Sequence, residues 1–136
     1  MHSIIQELKQ EHEELNRVLE SAVEAGVASK AGQALLLSAR ELLLAHLRKE
    51  NEKIYAPLEA KAICDRELAR IINPFLARLD DLSNFATDFF KRLEQEGGGV
   101  DFARSAGRLI GMIRNRVHQE EHVIFSEYEK LGPAAA

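Results

Sequence analysis

The chain has 136 residues, 46% of them hydrophobic and 29% charged, with a formal net charge of −4. This size and balance suit one water-soluble domain, and an acidic total without a dense Lys/Arg stripe argues against a nucleic-acid surface. The apolar runs are too short to span a bilayer, the charged start MHSIIQELKQEHEEL is no signal peptide, and the lone Cys64 permits no internal disulfide, so the expected location is cytoplasmic.

Only three prolines stand against many Leu, Ala, Glu and Lys, which favours helices. The first predicted helix covers residues 3–25, with Ser3 as N-cap and Ile5, Leu8, His12, Leu15, Leu19 and Ala22 spaced by threes and fours. Gly26 to Gly32 reads as a small-residue turn. The second helix is expected over 33–62, with a kink or an early end at Pro57, which has no amide donor. Asp65 is the expected N-cap of the next helical segment, and Asn73-Pro74 either opens the third helix or kinks it. The buried stripe of that helix is Phe75, Leu79, Leu82, Ala86, Phe89 and Leu93, and Gly97, Gly98 and Gly99 stop it. Asp101 is the expected cap of the fourth helix, whose stripe is Ala106, Ile110, Ile113, Val117, Ile124, Tyr128 and Leu131. Four long helices, one apolar stripe each and short connections predict an all-α, antiparallel up-down-up-down four-helix bundle. It is read as a single domain over 1–133, with a frayed tail at 134–136.

Polar residues interrupt three of the four stripes. His46 and Glu50 lie about one turn apart on one face of the second helix, amid Leu35, Ala39, Leu42, Leu43 and Ile54. His12 lies on the stripe of the first helix. On the fourth, RVHQEEHVIF sets Glu120 and Glu121 on either side of the Val117–Ile124 line, with His118 further round and His122 nearer solvent. Buried imidazoles and carboxylates are costly unless a partner satisfies them, and a metal ion satisfies several at once. Nitrogen and carboxylate ligands suit zinc or non-haem iron.

In order along the chain, LKQEHEEL, HLRKENEKIY and RVHQEEHVIF resemble the motifs of the hemerythrin-like, or HHE cation-binding, family. The resemblance covers residues 4–131 and implies a metal centre with His12 and His46 as terminal ligands and Glu50 and Glu120 as the bridging carboxylates. Two positions depart from the family pattern. Leu79, in RLDDLS, aligns with the usual third-helix histidine, and anchoring on Ile124-Phe125 puts Arg116 at the fourth-helix histidine. Other registers make His118 or His122 the ligand, with Glu121 beside them. Losing the terminal ligands of one iron implies a reduced, mononuclear site of non-haem iron or zinc, with Arg116 supplying charge where the second ion would sit and pairing with Glu50 or Glu120. The family's chemistry includes O2 binding, iron or oxygen sensing and NO-linked repair. One metal makes two-iron oxygen carriage doubtful and leaves sensing, metal binding or regulation.

Two other functions remain open on the sequence. One is a metal-free helical-bundle interaction or regulatory module, in which Arg116 neutralises Glu50 or Glu120. The other is a histidine phosphotransfer protein, since AHLRKEN is similar to the HxxK start of that motif, although Glu50 stands where Gly is usual. No Ser/His/Asp arrangement, phosphate loop or CxxC points to an enzyme.

Overall fold

The computed structural model describes residues 3–97 and 100–132. Helix α1 (Ile4–Ala25) opens on a reciprocal cap: the Gln6 amide donates to the Ser3 hydroxyl, and the Ser3 amide donates to the Gln6 side chain. Helix α2 (Lys30–Glu50) begins earlier than the expected residue 33, because Ser29 caps it and accepts from the Gly32 amide. The chain then runs through a π turn (Asn51–Tyr55) straight into α3 (Ala56–Ala62). Pro57 falls in the first turn of α3, where a missing amide is tolerated, so the helical path does not end early there.

Asp65 caps α4 (Arg66–Leu76), accepting from the Leu68 amide at 3.1 Å. Pro74 lies inside α4, and the break falls at Ala77 and Arg78, ahead of α5 (Leu79–Glu96). The expectation that Asn73-Pro74 starts or kinks a single third helix is thus corrected: two helices share that side of the bundle. Helix α6 (Val100–Gln119) carries Asp101 in its first turn, not at its cap. A second π turn (Glu120–Ile124) joins α6 to α7 (Phe125–Glu129). Gly98, Gly99 and the tail expected at 134–136 lie outside the described residues.

Side-chain pairs fix the antiparallel order. Glu11 meets His46 while Glu7 meets Lys49 on the facing helix. Arg40 of α2 pairs with Glu94 of α5. Arg108 lies over the Phe85 ring, and Arg116 reaches the Leu79 carbonyl, so α5 and α6 also run in opposite senses. The result is an all-α four-helix bundle whose sides are α1, the α2–α3 run, the α4–α5 pair and the α6–α7 run.

Two apolar clusters fill it. Leu15, Leu19, Leu36, Leu43, Phe89 and Leu109 belong to one, and Leu8, Ile54, Leu58, Ile72, Ile124 and Phe125 to the other. Each fully buried Leu or Phe contributes roughly 1.5–3 kcal/mol relative to exposure. In sequence, three of the buried polar residues fall where one cluster gives way to the other: His12 between Leu8 and Leu15, Glu50 between Leu47 and Ile54, Glu120 between Ile113 and Ile124, with His46 one turn before Glu50; Glu127 is buried apart from them, between Phe125 and Tyr128 of the second cluster. The bundle therefore carries one polar layer between two apolar ends.

Candidate metal centre

His12 and His46 are each 4% exposed, Glu50 0% and Glu120 1%. Helix α1 delivers His12, the last turn of α2 delivers His46 and Glu50, and Glu120 opens the second π turn. Both π turns widen the helix at a buried carboxylate, the first directly after Glu50 and the second from Glu120 onward. The Ala56 amide bonds the Asn51 carbonyl, and the Phe125 amide bonds the Glu120 carbonyl, each five residues back. The wider turn lets two consecutive residues face inward, Ile54 with Tyr55 and Ile124 with Phe125. The Tyr55 hydroxyl thereby reaches Glu120 Oε2 at 2.7 Å and donates to it.

The inner atoms face one another. His46 Nε2 lies 3.1 Å from Glu50 Oε2, His12 Nε2 lies 3.4 Å from the same oxygen, and His12 Nε2 lies 3.2 Å from Glu120 Oε1. These contacts are close enough for ion pairs, yet none has hydrogen-bond geometry. His12 Nε2, His46 Nε2, Glu50 Oε2 and Glu120 Oε1 are buried without a hydrogen-bond partner among the described residues. The four residues each offer one ligand atom, all within 4.8 Å of one another. A four-coordinate ion at roughly 2.0–2.2 Å from each ligand holds those ligands about 3.4 Å apart. Three of the inner contacts match that spacing and the whole set lies within 4.8 Å, so the donor set suits a divalent ion in chemistry and comes near it in size.

The outer atoms of the same side chains are satisfied. His12 Nδ1 lies 2.7 Å from Glu121 Oε2, and His46 Nδ1 lies 2.7 Å from Glu11 Oε1. Lys49 bonds the other oxygen of Glu11. A carboxylate only accepts here, so each Nδ1 donates, and the ring is oriented with Nε2 inward. Arg116 closes the opposite side. Its Nη2 lies 3.2 Å from Glu50 Oε1 and its Nε lies 3.0 Å from Glu120 Oε2, so it pairs with both carboxylates.

Protonation in the metal-free chain reflects this packing. Burial alone disfavours a charged His12, but the carboxylates of Glu120, Glu50 and Glu121 outweigh it and raise its pKa from 6.5 to about 10. His46 is raised for the same reason, against its own burial, chiefly by Glu50 and then Glu11. The two carboxylates diverge. Burial pushes Glu50 up, yet His12 and His46 prevail and hold it well below the usual carboxylate range. At Glu120, burial and the adjacent Glu50 charge prevail and push it up. Arg116 is buried at a cost, but both glutamates keep it charged.

The remaining candidates do not join this cluster. Glu121 sits on the outer nitrogen of His12, not on the inner face. His118 and His122 are exposed, their rings 4.1 Å apart, and His122 Nδ1 lies 2.8 Å from the His118 carbonyl. Glu11 is the residue that the sequence did not single out: EHEEL offers three acids beside His12 and no rule for choosing among them. Tyr55 has a clearer signal, since ENEKIY and EEHVIF both place an aliphatic–aromatic pair four and five residues after a buried glutamate.

A family model, the hemerythrin HHE cation binding domain, matches residues 3–128. The chain belongs to this family. Neither the curated proteins nor the solved structures gave a match. Within the hemerythrin domain, Leu79 and Arg116 stand beside each other on α5 and α6, the Leu79 carbonyl 3.4 Å from Arg116 Nη1. The domain thus holds a buried His/Glu cluster able to take a metal, bordered on one side by a fixed guanidinium.

Proposed function

We propose that this hemerythrin-family chain binds a single divalent ion, non-haem iron or zinc, and uses it for sensing or regulation rather than for two-iron oxygen carriage. His12, His46, Glu50 and Glu120 are the ligands in this reading. The observation that carries it is the set of four buried, inward-facing atoms left without hydrogen-bond partners. Native interiors rarely leave such atoms unsatisfied, and one cation answers all four. Glu121 and Glu11 orient the imidazoles from outside, and Tyr55 fixes Glu120. Arg116 occupies the side of both bridging carboxylates where a second ion would compete for the same oxygens. A bound ion would supply Lewis acidity or, for iron, a site for O2 or NO.

A metal-free interaction module is the second reading, favoured by a separate observation. Arg116 and a protonated His12 already balance the charges of Glu50 and Glu120. Phosphotransfer at His46 has less support, because that ring is buried between Glu50 and Glu11, which would repel a phosphoryl group. Elemental analysis of purified protein and of His46→Ala separates these readings. The expected result is about one ion per chain, lost in the variant. Two irons would refute the mononuclear site. No metal after anaerobic reconstitution with iron and with zinc would leave the metal-free module.

A further inference from the structure

A cavity of about 380 Å³ opens on the far side of Arg116 from the His/Glu cluster. Helices α4, α5 and α6 and the first π turn enclose it, with Phe75, Leu79 and Met112 among its apolar walls. Its volume is that of a small-molecule site, which is commonly an apolar enclosure with a few fixed polar groups. Two guanidinium groups line it. Arg116 is largely buried, and its Nη1 makes only the long 3.4 Å contact to the Leu79 carbonyl, while Nε and Nη2 hold Glu120 and Glu50. Arg78 sits at the rim and has no ion-pair partner among the described residues; the paired arginines are Arg40, Arg70, Arg92 and Arg116. Asp81 also lines the cavity but makes no ion pair with Arg78. Arg78 is exposed and takes no part in the inner cluster.

We propose that this cavity binds a small monocarboxylate with a compact apolar body, its head group held by Arg78 and the spare donor of Arg116 and its tail against Phe75, Leu79 and Met112. A planar guanidinium pairs with a carboxylate through parallel N–H···O bonds. The apolar lining selects against a fully hydrated anion such as acetate, and the arginines select against an uncharged chain of equal length. The site requires no metal, so its test does not depend on the reading of the His/Glu cluster.

The test uses the 136-residue, metal-free chain and octanoate as probe, with octanol and acetate as the uncharged and tail-less controls, by isothermal titration calorimetry. Octanoate is expected to bind at least about tenfold tighter than either control, the difference one charge-assisted contact supplies. Arg78→Gln, at the exposed rim, is expected to remove that preference while leaving the octanol affinity in place. Met112→Trp, which fills the cavity from α6, is expected to abolish binding of both. Equal binding of octanoate and octanol, an unchanged preference in Arg78→Gln, or no octanoate binding up to millimolar concentration overturns the proposal. Should Met112→Trp fail to fold, the Arg78→Gln comparison decides alone.

Discussion

At the scale of single residues, the centre is a competition between a proton and a metal ion for His12. The folded, metal-free chain raises the His12 pKa from 6.5 to about 10, because three carboxylates surround a ring whose burial alone would lower it. The stability gained by protonated His12 is therefore fully present below pH 6.5 and is lost as the pH rises through about 10. A ligand imidazole must give up that proton, so metal binding and protonation oppose each other. Apparent zinc affinity should therefore climb by at least roughly tenfold per pH unit in this window, one proton leaving His12 and the likewise raised His46 adding to the slope. Competition against a chromogenic chelator at about pH 7 and pH 8 measures it. Meanwhile the melting temperature of the metal-free chain should fall toward pH 10. An affinity that stays flat with pH would mean that His12 carries no proton to displace.

At the scale of the helices, the close approach of α1 and α2 depends on one glycine. A Cβ on Gly32 would lie 1.9 Å from the Gly26 carbonyl oxygen, and backbone does not move aside as a side-chain tip does. Gly32→Ala should destabilise the fold by about 1–3 kcal/mol, the usual cost of forcing atoms into filled space. Gly107 and Gly111 of α6 have nothing within 4 Å of an added Cβ, so alanine there should stabilise by roughly 0.5–1 kcal/mol. Urea unfolding of the three variants reads both signs. The sequence carries this turn only as a run of small residues, because a close contact between Gly26 and Gly32 leaves no mark on hydrophobic periodicity. The stripes were legible for the opposite reason. Leu8, Leu15, Leu19 and Leu43 repeat by helical steps and are buried, as the spacing requires. The π turns were hidden because Asn51–Tyr55 and Glu120–Ile124 keep ordinary helical composition, and doubled inward pairs such as Ile54-Tyr55 and Ile124-Phe125 also occur in plain α-helix at Phe89-Phe90 and Leu109-Ile110. His12, His46 and Glu50 stood out as polar residues on apolar faces, whereas Glu120 was told from Glu121 only by the resemblance of RVHQEEHVIF to the family motif. Glu11 stayed hidden, since an outer carboxylate is told from a solvated one only by what stands opposite it.

At the scale of the whole molecule, Arg116 joins two sites that the bundle otherwise separates. One side of its guanidinium holds Glu50 and Glu120, and the other borders the cavity beneath Arg78. In the metal-free chain, protonated His12 and Arg116 offset the two glutamates. With His46 neutral, a divalent ion replaces that one proton with a larger charge, so ion and Arg116 together exceed the two carboxylates by one unit. A carboxylate in the cavity then meets a more positive floor. At an effective dielectric near 20 and a separation of about 10 Å, one added unit charge contributes about 1.7 kcal/mol, which screening by salt brings to the order of 1 kcal/mol, about fivefold in affinity. Zinc-loaded protein should accordingly bind octanoate several-fold more tightly than metal-free protein. Linkage makes the effect reciprocal: saturating octanoate should raise zinc affinity by the same factor. Both halves are measurable by titration, and they must agree. Equal octanoate affinity with and without zinc would mean that Arg116 screens one site from the other. Unequal factors in the two directions would mean that a titration had not reached equilibrium or that more than one ion or carboxylate binds, since linkage gives any such pair a single coupling free energy wherever the two sites lie.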